Sequence, residues 1–184
     1  MTRITAGDRL PGDPDKKTLI DQIIRVDQAG EYGAKRIYEG QLAVLGHTDA
    51  APALKEMLAQ EEDHLKRFNG LMAARGTRPT ALQPVWHVAG FALGAATALL
   101  GKEAAMACTV AVEDVISEHY RTQAEQLGDD EKDLRETITA FREDELHHRD
   151  VSLAHGASEA PGYEALTAAI KTGTRLAIWL AKRI

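Results

Sequence analysis

One cysteine, Cys108, is all that the 184 residues contain, so no disulfide can form within the chain. Cys108 lies in an apolar run over 104–112 and reads as a small core residue in a reduced setting. Proline and glycine, at 6 and 15 residues, are too scarce for a disordered chain. No stretch alternates polar and apolar residues between hairpin turns, which argues against a sheet. No Lys/Arg-rich cluster is present and the net charge is −6, which excludes nucleic acid as an expected partner. The opening MTRITAGDRLPGDPDKK has no apolar signal core and is not an Arg- and Ser-rich transit sequence. A bacterial or already processed chain is expected. The length suits one domain with a sizeable core.

What is present is helical periodicity nearly throughout. Breakers and caps divide it into six predicted helices: about 15–45, ending at Gly46; from Asp49 and Pro52 to Gly76; from Val85 to Gly101; from Lys102 to Leu127, with Gly128 as C-cap; a fifth capped by Asp129 or Asp130 and ending before Gly156; and a sixth with Pro161 at its first position, running to the end. The first, second, fourth and fifth are long and form two hairpins with short turns. Such hairpins make an antiparallel four-helix bundle. The expectation is an all-α, single domain over 1–184, with 1–14 a flexible N-terminus and two extra helices over 85–101 and 161–184.

Each hairpin repeats one pattern, E-x6-Y followed by E-x2-H: Glu31, Tyr38, Glu61 and His64 in the first, and Glu113, Tyr120, Glu145 and His148 in the second. The midpoint of Glu31 and Glu61 is position 46, and that of Glu113 and Glu145 is position 129. Both fall in predicted turns, so each glutamate pair should sit level, about 22–24 Å from its turn. Glutamate and histidine three apart share a helix face. Six donors thus converge on one layer. Four unpaired buried carboxylates would protonate or unfold the bundle, whereas two divalent cations cancel their charge. Oxygen donors with two imidazoles suit iron or manganese better than zinc.

Other residues carry alternatives. Tyr38 and Tyr120, two turns from Glu31 and Glu113, either hydrogen-bond a ligand on a facing helix or simply pack. Asp144 either orients an imidazole or faces solvent. His119, six after Glu113, is a candidate for proton or electron transfer, while His47, His87, His147 and His155 read as turn or surface residues. Gly30 and Gly33 flank Glu31, each at a cost of roughly 1 kcal/mol in a helix interior; they keep an approach to the metals open or allow close helix packing. The segment 79–101 carries no formal charge, yet its apolar part, 85–100, is short for a membrane span. It is either a buried link or a helix dipping into one leaflet, and its Gly90/Gly94 pair admits a close neighbour. The last helix has an apolar stripe through Leu166, Ile170, Gly173, Ala177, Leu180 and Ile184, with Lys171, Arg175 and Lys182 together elsewhere and Trp179 and Arg183 near its end. Together the two favour monotopic attachment to a membrane and a substrate drawn from lipid.

The stretches IIRVDQAGEYGAKRIYEGQ, QEEDHLKRFN, GFALGAATALLGKEAAMACTVAVED and the FREDELHHRD region resemble the Coq7 family, the demethoxyubiquinone hydroxylases, over 18–184. The resemblance implies a ferritin-like di-iron monooxygenase of ubiquinone biosynthesis, with metal ligands at Glu31, Glu61, His64, Glu113, Glu145 and His148. It implies O2-dependent hydroxylation of a polyprenyl benzoquinone, with electrons from NADH arriving through the quinone. His119 and Tyr120 match a His-Tyr pair implicated in that transfer. It further implies peripheral attachment to the cytoplasmic face of a bacterial inner membrane, or the matrix face in mitochondria, where a lipid-binding partner, Coq9, acts with eukaryotic members. A homo-oligomer remains open. The competing readings are a ferritin-like iron-oxidising or storage protein, a manganese catalase, and a non-catalytic quinone-binding protein of the membrane surface.

Overall fold

The computed structural model describes residues 14–184; the expected flexible start, but for Pro14, lies outside them. Among the described residues the architecture is all-α, a ferritin-like bundle of four long helices with two additions. The helices are α1 (Lys16–Leu45), α2 (Ala51–Arg75), α3 (Gln83–Leu99), α4 (Lys102–Gln126), α5 (Lys132–Ala154) and α6 (Tyr163–Ala181). Helix α1 pairs with α2 and α4 with α5; α3 then lies against α1, and α6 against α4. The chain is therefore two consecutive three-helix units, each a hairpin followed by a helix that returns to the hairpin's first member.

Local chemistry explains most boundaries. The Asp15 carboxylate accepts from the Thr18 amide at 2.7 Å and starts α1. Pro52 and Pro84 occupy the first turns of α2 and α3, where no amide partner is lost. Gly76 closes α2 in the left-handed conformation, at φ 66°.

Three expected caps are corrected. Helix α4 is capped by Leu127 in extended backbone and not by Gly128, and Asp129–Glu131 forms a separate 3₁₀ turn, so neither aspartate caps α5. Their carboxylates are engaged elsewhere, Asp130 by Lys16 and Asp129 by Arg135. Pro161 also precedes α6 rather than opening it. Gly162, at φ 68°, turns the chain into the helix, which stops at Ala181.

Helix α3 is not a buried link. It buries only Gly90, Gly94, Thr97 and Ala98. Val85 and Val88, with Leu99 and Leu100 at its end, are more than half exposed, as are Leu176 and Trp179 of α6. The GxxxG pair is occupied by α1: a Cβ on Gly94 would meet the Ile37 carbonyl oxygen at 2.0 Å, and one on Gly90 the Gly33 oxygen at 2.9 Å. No helix among the described residues is long and apolar enough to cross a membrane. The bundle interior holds two apolar clusters, one around Ile24, Phe68, Leu134 and Ile138 and one around Leu45, Leu54, Met106 and Val110.

These contacts give opposite signs to two glycine substitutions. Gly94→Ala forces α3 off α1 and should destabilise by about 1–3 kcal/mol, as overpacking does. Nothing lies within 4 Å of a Cβ on Gly33. Gly33→Ala should therefore stabilise by up to roughly 1 kcal/mol through helix propensity. Urea midpoints check the pair, and the reverse order would contradict this packing.

Candidate metal centre

Helices α1, α2, α4 and α5 each deliver a buried carboxylate to the middle of the bundle. Glu31, Glu61, Glu113 and Glu145 are at most 2 % exposed, and His64 and His148 at most 3 %. Their donor atoms form two groups, Glu31–Glu61–His64–Glu145 and Glu61–Glu113–Glu145–His148, with all donors of a group within 4.8 Å of one another. Glu61 and Glu145 belong to both. The structure thus brings together all six side chains that the duplicated spacing set at one level.

Both imidazoles point the same way. Nδ1 of His64 lies 3.5 Å from Glu31 Oε2 and 3.4 Å from Glu145 Oε1. Nδ1 of His148 lies 3.2 Å from Glu61 Oε1 and 3.3 Å from Glu145 Oε2. The outward nitrogens are held across the bundle, Nε2 of His64 by Asp144 at 3.1 Å and Nε2 of His148 by Gln60 at 2.6 Å. Asp144 thus touches an imidazole and is also half-exposed. Each tyrosine reaches the other hairpin: Tyr38 donates to Glu113 Oε1 at 2.9 Å, and Tyr120 to Glu31 Oε1. Of the two roles open to the tyrosines, hydrogen bonding to a facing glutamate is the one observed.

The donors fit divalent cations. Both oxygens of Glu61 and of Glu145, Oε2 of Glu113, and Nδ1 of both histidines have no hydrogen-bond partner despite full burial. Unpaired buried carboxylates and lone pairs are costly. No Lys or Arg among the described residues pairs with these four glutamates, whereas surface carboxylates such as Asp114 and Glu62 do find Lys171 and Lys35. Buried Glu and His groups able to hold metal are therefore present, and oxygen-rich sets with one imidazole each suit iron or manganese.

Without cations, protons must do the neutralising. Burial raises Glu61 and Glu113 well above the ordinary 4.5, and the Glu145 charge raises both further. Burial opposes charge on His64, but its contacts with Glu145 and Glu31 outweigh that and hold it up at about 11. Burial likewise opposes charge on Glu145, which His148 and His64 nevertheless draw down to about 2. Stability from His64 is complete below 6.5 and lost as pH rises through about 11. That from Glu145 is present above 4.5 and lost as pH falls through about 2. Glu61 and Glu113 work against the metal-free fold as pH climbs from 4.5 through their raised values.

His119 does not join the cluster. Its Nε2 lies 3.0 Å from Gln123 Nε2 and 4.0 Å from Asp27 Oδ1. Gln123 donates to that Asp27 oxygen at 2.7 Å. Burial, helped by Lys182, lowers His119 to about 4. Burial raises Asp27 well above its ordinary value, with the Gln123 hydrogen bond opposing. His47, His87 and His147 are exposed and His155 sits at the end of α5, all outside the cluster; His87 Nδ1 meets the Tyr32 hydroxyl at 2.6 Å.

The duplicated spacing does not single out Gln60, Asp27 or Gln123. Gln60 carried a usable signal, since it precedes Glu61 as Asp144 precedes Glu145. Asp27 lies one turn before Glu31, and Gln123 one turn after His119, which is too common a spacing to single them out.

A cavity of about 210 Å³ lies beside the cluster, among α1, α3, α4 and α6, lined by residues including Gly30, Gly33, Trp86, Leu93, Ile116 and Ala177. Gly30 adjoins Glu31, and the lining residue Val112 adjoins Glu113. Gly30 has nothing within 4 Å of an added Cβ, so open space rather than tight packing surrounds its Cα.

Known proteins resemble this chain over nearly its whole length. Residues 18–181 match the family model described as "Ubiquinone biosynthesis protein COQ7". The chain is 59% identical over 183 residues to a protein of Rhodospirillum rubrum named "3-demethoxyubiquinol 3-hydroxylase", covering 99% of this chain and 86% of that one. It is 52% identical over 172 residues to the Homo sapiens "NADPH-dependent 3-demethoxyubiquinone 3-hydroxylase, mitochondrial", with 91% and 79% covered. It is 44% identical over 183 residues to the Saccharomyces cerevisiae "5-demethoxyubiquinone hydroxylase, mitochondrial", with 90% and 78% covered.

The protonated cluster makes metal uptake a proton-releasing event. Anaerobic addition of a divalent cation at pH 7 should release about one to three protons per chain. A pH indicator in weak buffer reads this directly, and uptake of two cations without proton release would contradict the described ionisation.

Proposed function

The chain belongs to the family of the ubiquinone biosynthesis protein COQ7, and on that footing we propose that it is a 3-demethoxyubiquinol 3-hydroxylase. The reaction inserts one atom of O2 into a ring C–H bond of a polyprenylated demethoxybenzoquinol, and the second atom leaves as water. The observation that carries the reading is the pair of buried carboxylate–imidazole groups beside an apolar cavity. Glu31, Glu61, His64, Glu113, Glu145 and His148 would hold two iron ions. Two ferrous ions bound there would supply electrons for O2 activation without releasing superoxide.

The chain's own residues do the rest. The cavity suits a substituted ring, since a cavity of about 150 Å³ already takes benzene. The apolar walls exclude water, and the polyprenyl tail would leave along α3 and α6. Exposed Val85, Val88, Leu99, Leu100, Leu176 and Trp179 on these helices support attachment to one leaflet. Arg183 lies over the Trp179 ring, 4.0 Å from its centroid, and on a membrane surface its cation would meet anionic headgroups. The setting proposed is a peripheral one, on the cytoplasmic face of a bacterial inner membrane or the matrix face in a mitochondrion.

Tyr120 and His119 are proposed to move protons and electrons. Tyr120 Oη holds a proton against Glu31 Oε1, and His119, partly exposed, carries the polar chain through Gln123 to Asp27. The reductant proposed is NADH, acting through the quinone.

Aerobic incubation of iron-loaded protein with demethoxyubiquinol, ¹⁸O2 and either NADH or NADPH tests the reaction. Mass analysis should show a product with one labelled oxygen; its absence with both reductants would refute the assignment. Gly33→Leu fills the cavity wall and should abolish turnover while two irons remain bound. Loss of iron in this variant would show that Gly33 supports the cluster rather than access to it.

A further inference from the structure

The two halves of the cluster repeat each other down to the contacts behind the donors. Tyr38 of the first hairpin holds Glu113 of the second, and Tyr120 of the second holds Glu31 of the first. The residue just before each E-x2-H glutamate crosses in the same manner. Gln60 precedes Glu61 and meets His148, while Asp144 precedes Glu145 and meets His64. The tyrosines are chemically identical, but this second exchange is not. One imidazole donates its Nε2 proton to a carboxylate and the other to a neutral amide oxygen.

With Nε2–H donating outward, Nδ1 of each ring faces the carboxylate cluster, and a bound cation takes the place of any proton held there. A carboxylate acceptor draws the Nε2 proton and raises the electron density at Nδ1, whereas an amide does so less. Two features oppose this difference. The Gln60 contact is shorter, 2.6 Å against 3.1 Å, and the Asp144 side chain is 44% exposed. Charge outweighs the length, because hydrogen bonds to an ionised acceptor are about twice as strong as neutral ones. Exposure screens the charge without removing it, which sets the effect at the low end of the usual range.

We propose that Gln60 and Asp144 are positioning residues that fix both imidazoles with Nδ1 inward, and that their difference in charge makes the two cation positions unequal, the His64 position being the tighter. This rests on the metal-holding role proposed above and deepens it. A cluster whose donors are otherwise duplicated thereby acquires a filling order.

Co²⁺ alone is the probe, added anaerobically to the full-length metal-free chain and followed by visible absorption. The wild type should bind in two steps. Asp144→Asn should weaken the tighter step about tenfold, the low end for loss of an outer partner, and leave the other step in place. Gln60→Glu should strengthen the weaker step by about as much. Both changes keep side-chain size, and circular dichroism verifies the helices. The double variant should reverse the filling order, read from the paramagnetically shifted imidazole N–H protons in the ¹H spectrum; Asp144→Asn displaces the His64 signal and Gln60→Glu the His148 signal. Two equal steps in the wild type, or an unchanged order in the double variant, would overturn the inference. Uptake of fewer than two Co²⁺ by the wild type would instead overturn the metal-holding role on which it stands.

Discussion

Four carboxylates enclosed in the core of one helical bundle set the terms for the rest of this molecule. Glu31, Glu61, Glu113 and Glu145 are shut off from water, and no cationic side chain among the described residues pairs with them except the histidines of the same cluster. Burial of unpaired charge costs several kcal/mol per ion even after relaxation. The interior must therefore supply protons or cations. The two tyrosines relieve one oxygen each on Glu113 and Glu31, but both oxygens of Glu61 and of Glu145 and Oε2 of Glu113 are left without a hydrogen-bond partner. The polar layer lies between apolar clusters toward either end of the bundle, which anchor the helices that carry it.

The added helices serve that layer. Glycines at 90 and 94 let α3 lie backbone to backbone on α1, while α6 packs on α4. Between these four helices is the apolar cavity next to the cluster. Polar ties at the periphery add to this packing: Lys171 of α6 reaches Asp114 of α4 at 2.7 Å, and Arg36 of α1 donates to the His87 carbonyl of α3. On their outer sides α3 and α6 leave Val85, Val88, Leu99, Leu176 and Trp179 exposed, beside His87 and Arg175. The carboxylate layer, an apolar chamber and exposed apolar side chains are thus adjacent in space. That adjacency suits a substrate with a polar ring and a lipid tail.

Much of this was legible before the structure. The level placement of the glutamates followed from two intervals centred on two turns, because an antiparallel hairpin leaves little freedom in register. The reach of Tyr38 and Tyr120 was recognised only as one of two options, since two turns of helix remove a side chain from its own glutamate without naming the facing one. Gln60 was missed because an amide draws no attention beside an acidic run; only the repeat points to it. The caps at Asp129, Asp130 and Pro161 failed for a local reason. Lys16 and Arg135 compete with the helix-start amides for these carboxylates, and a left-handed Gly162 can turn the chain as well as proline. For α3, apolar composition alone could not separate a buried link from a helix with an uncovered side.

Anomalous diffraction at the iron edge, from crystals of the protein loaded with Fe²⁺ under anaerobic conditions, shows whether the four buried glutamates hold two cations. Two iron peaks are expected, one bordered by Glu31 and His64 and one by Glu113 and His148, with Glu61 and Glu145 adjoining both. A single peak, peaks on the surface, or an interior without iron and with unchanged side chains would contradict this.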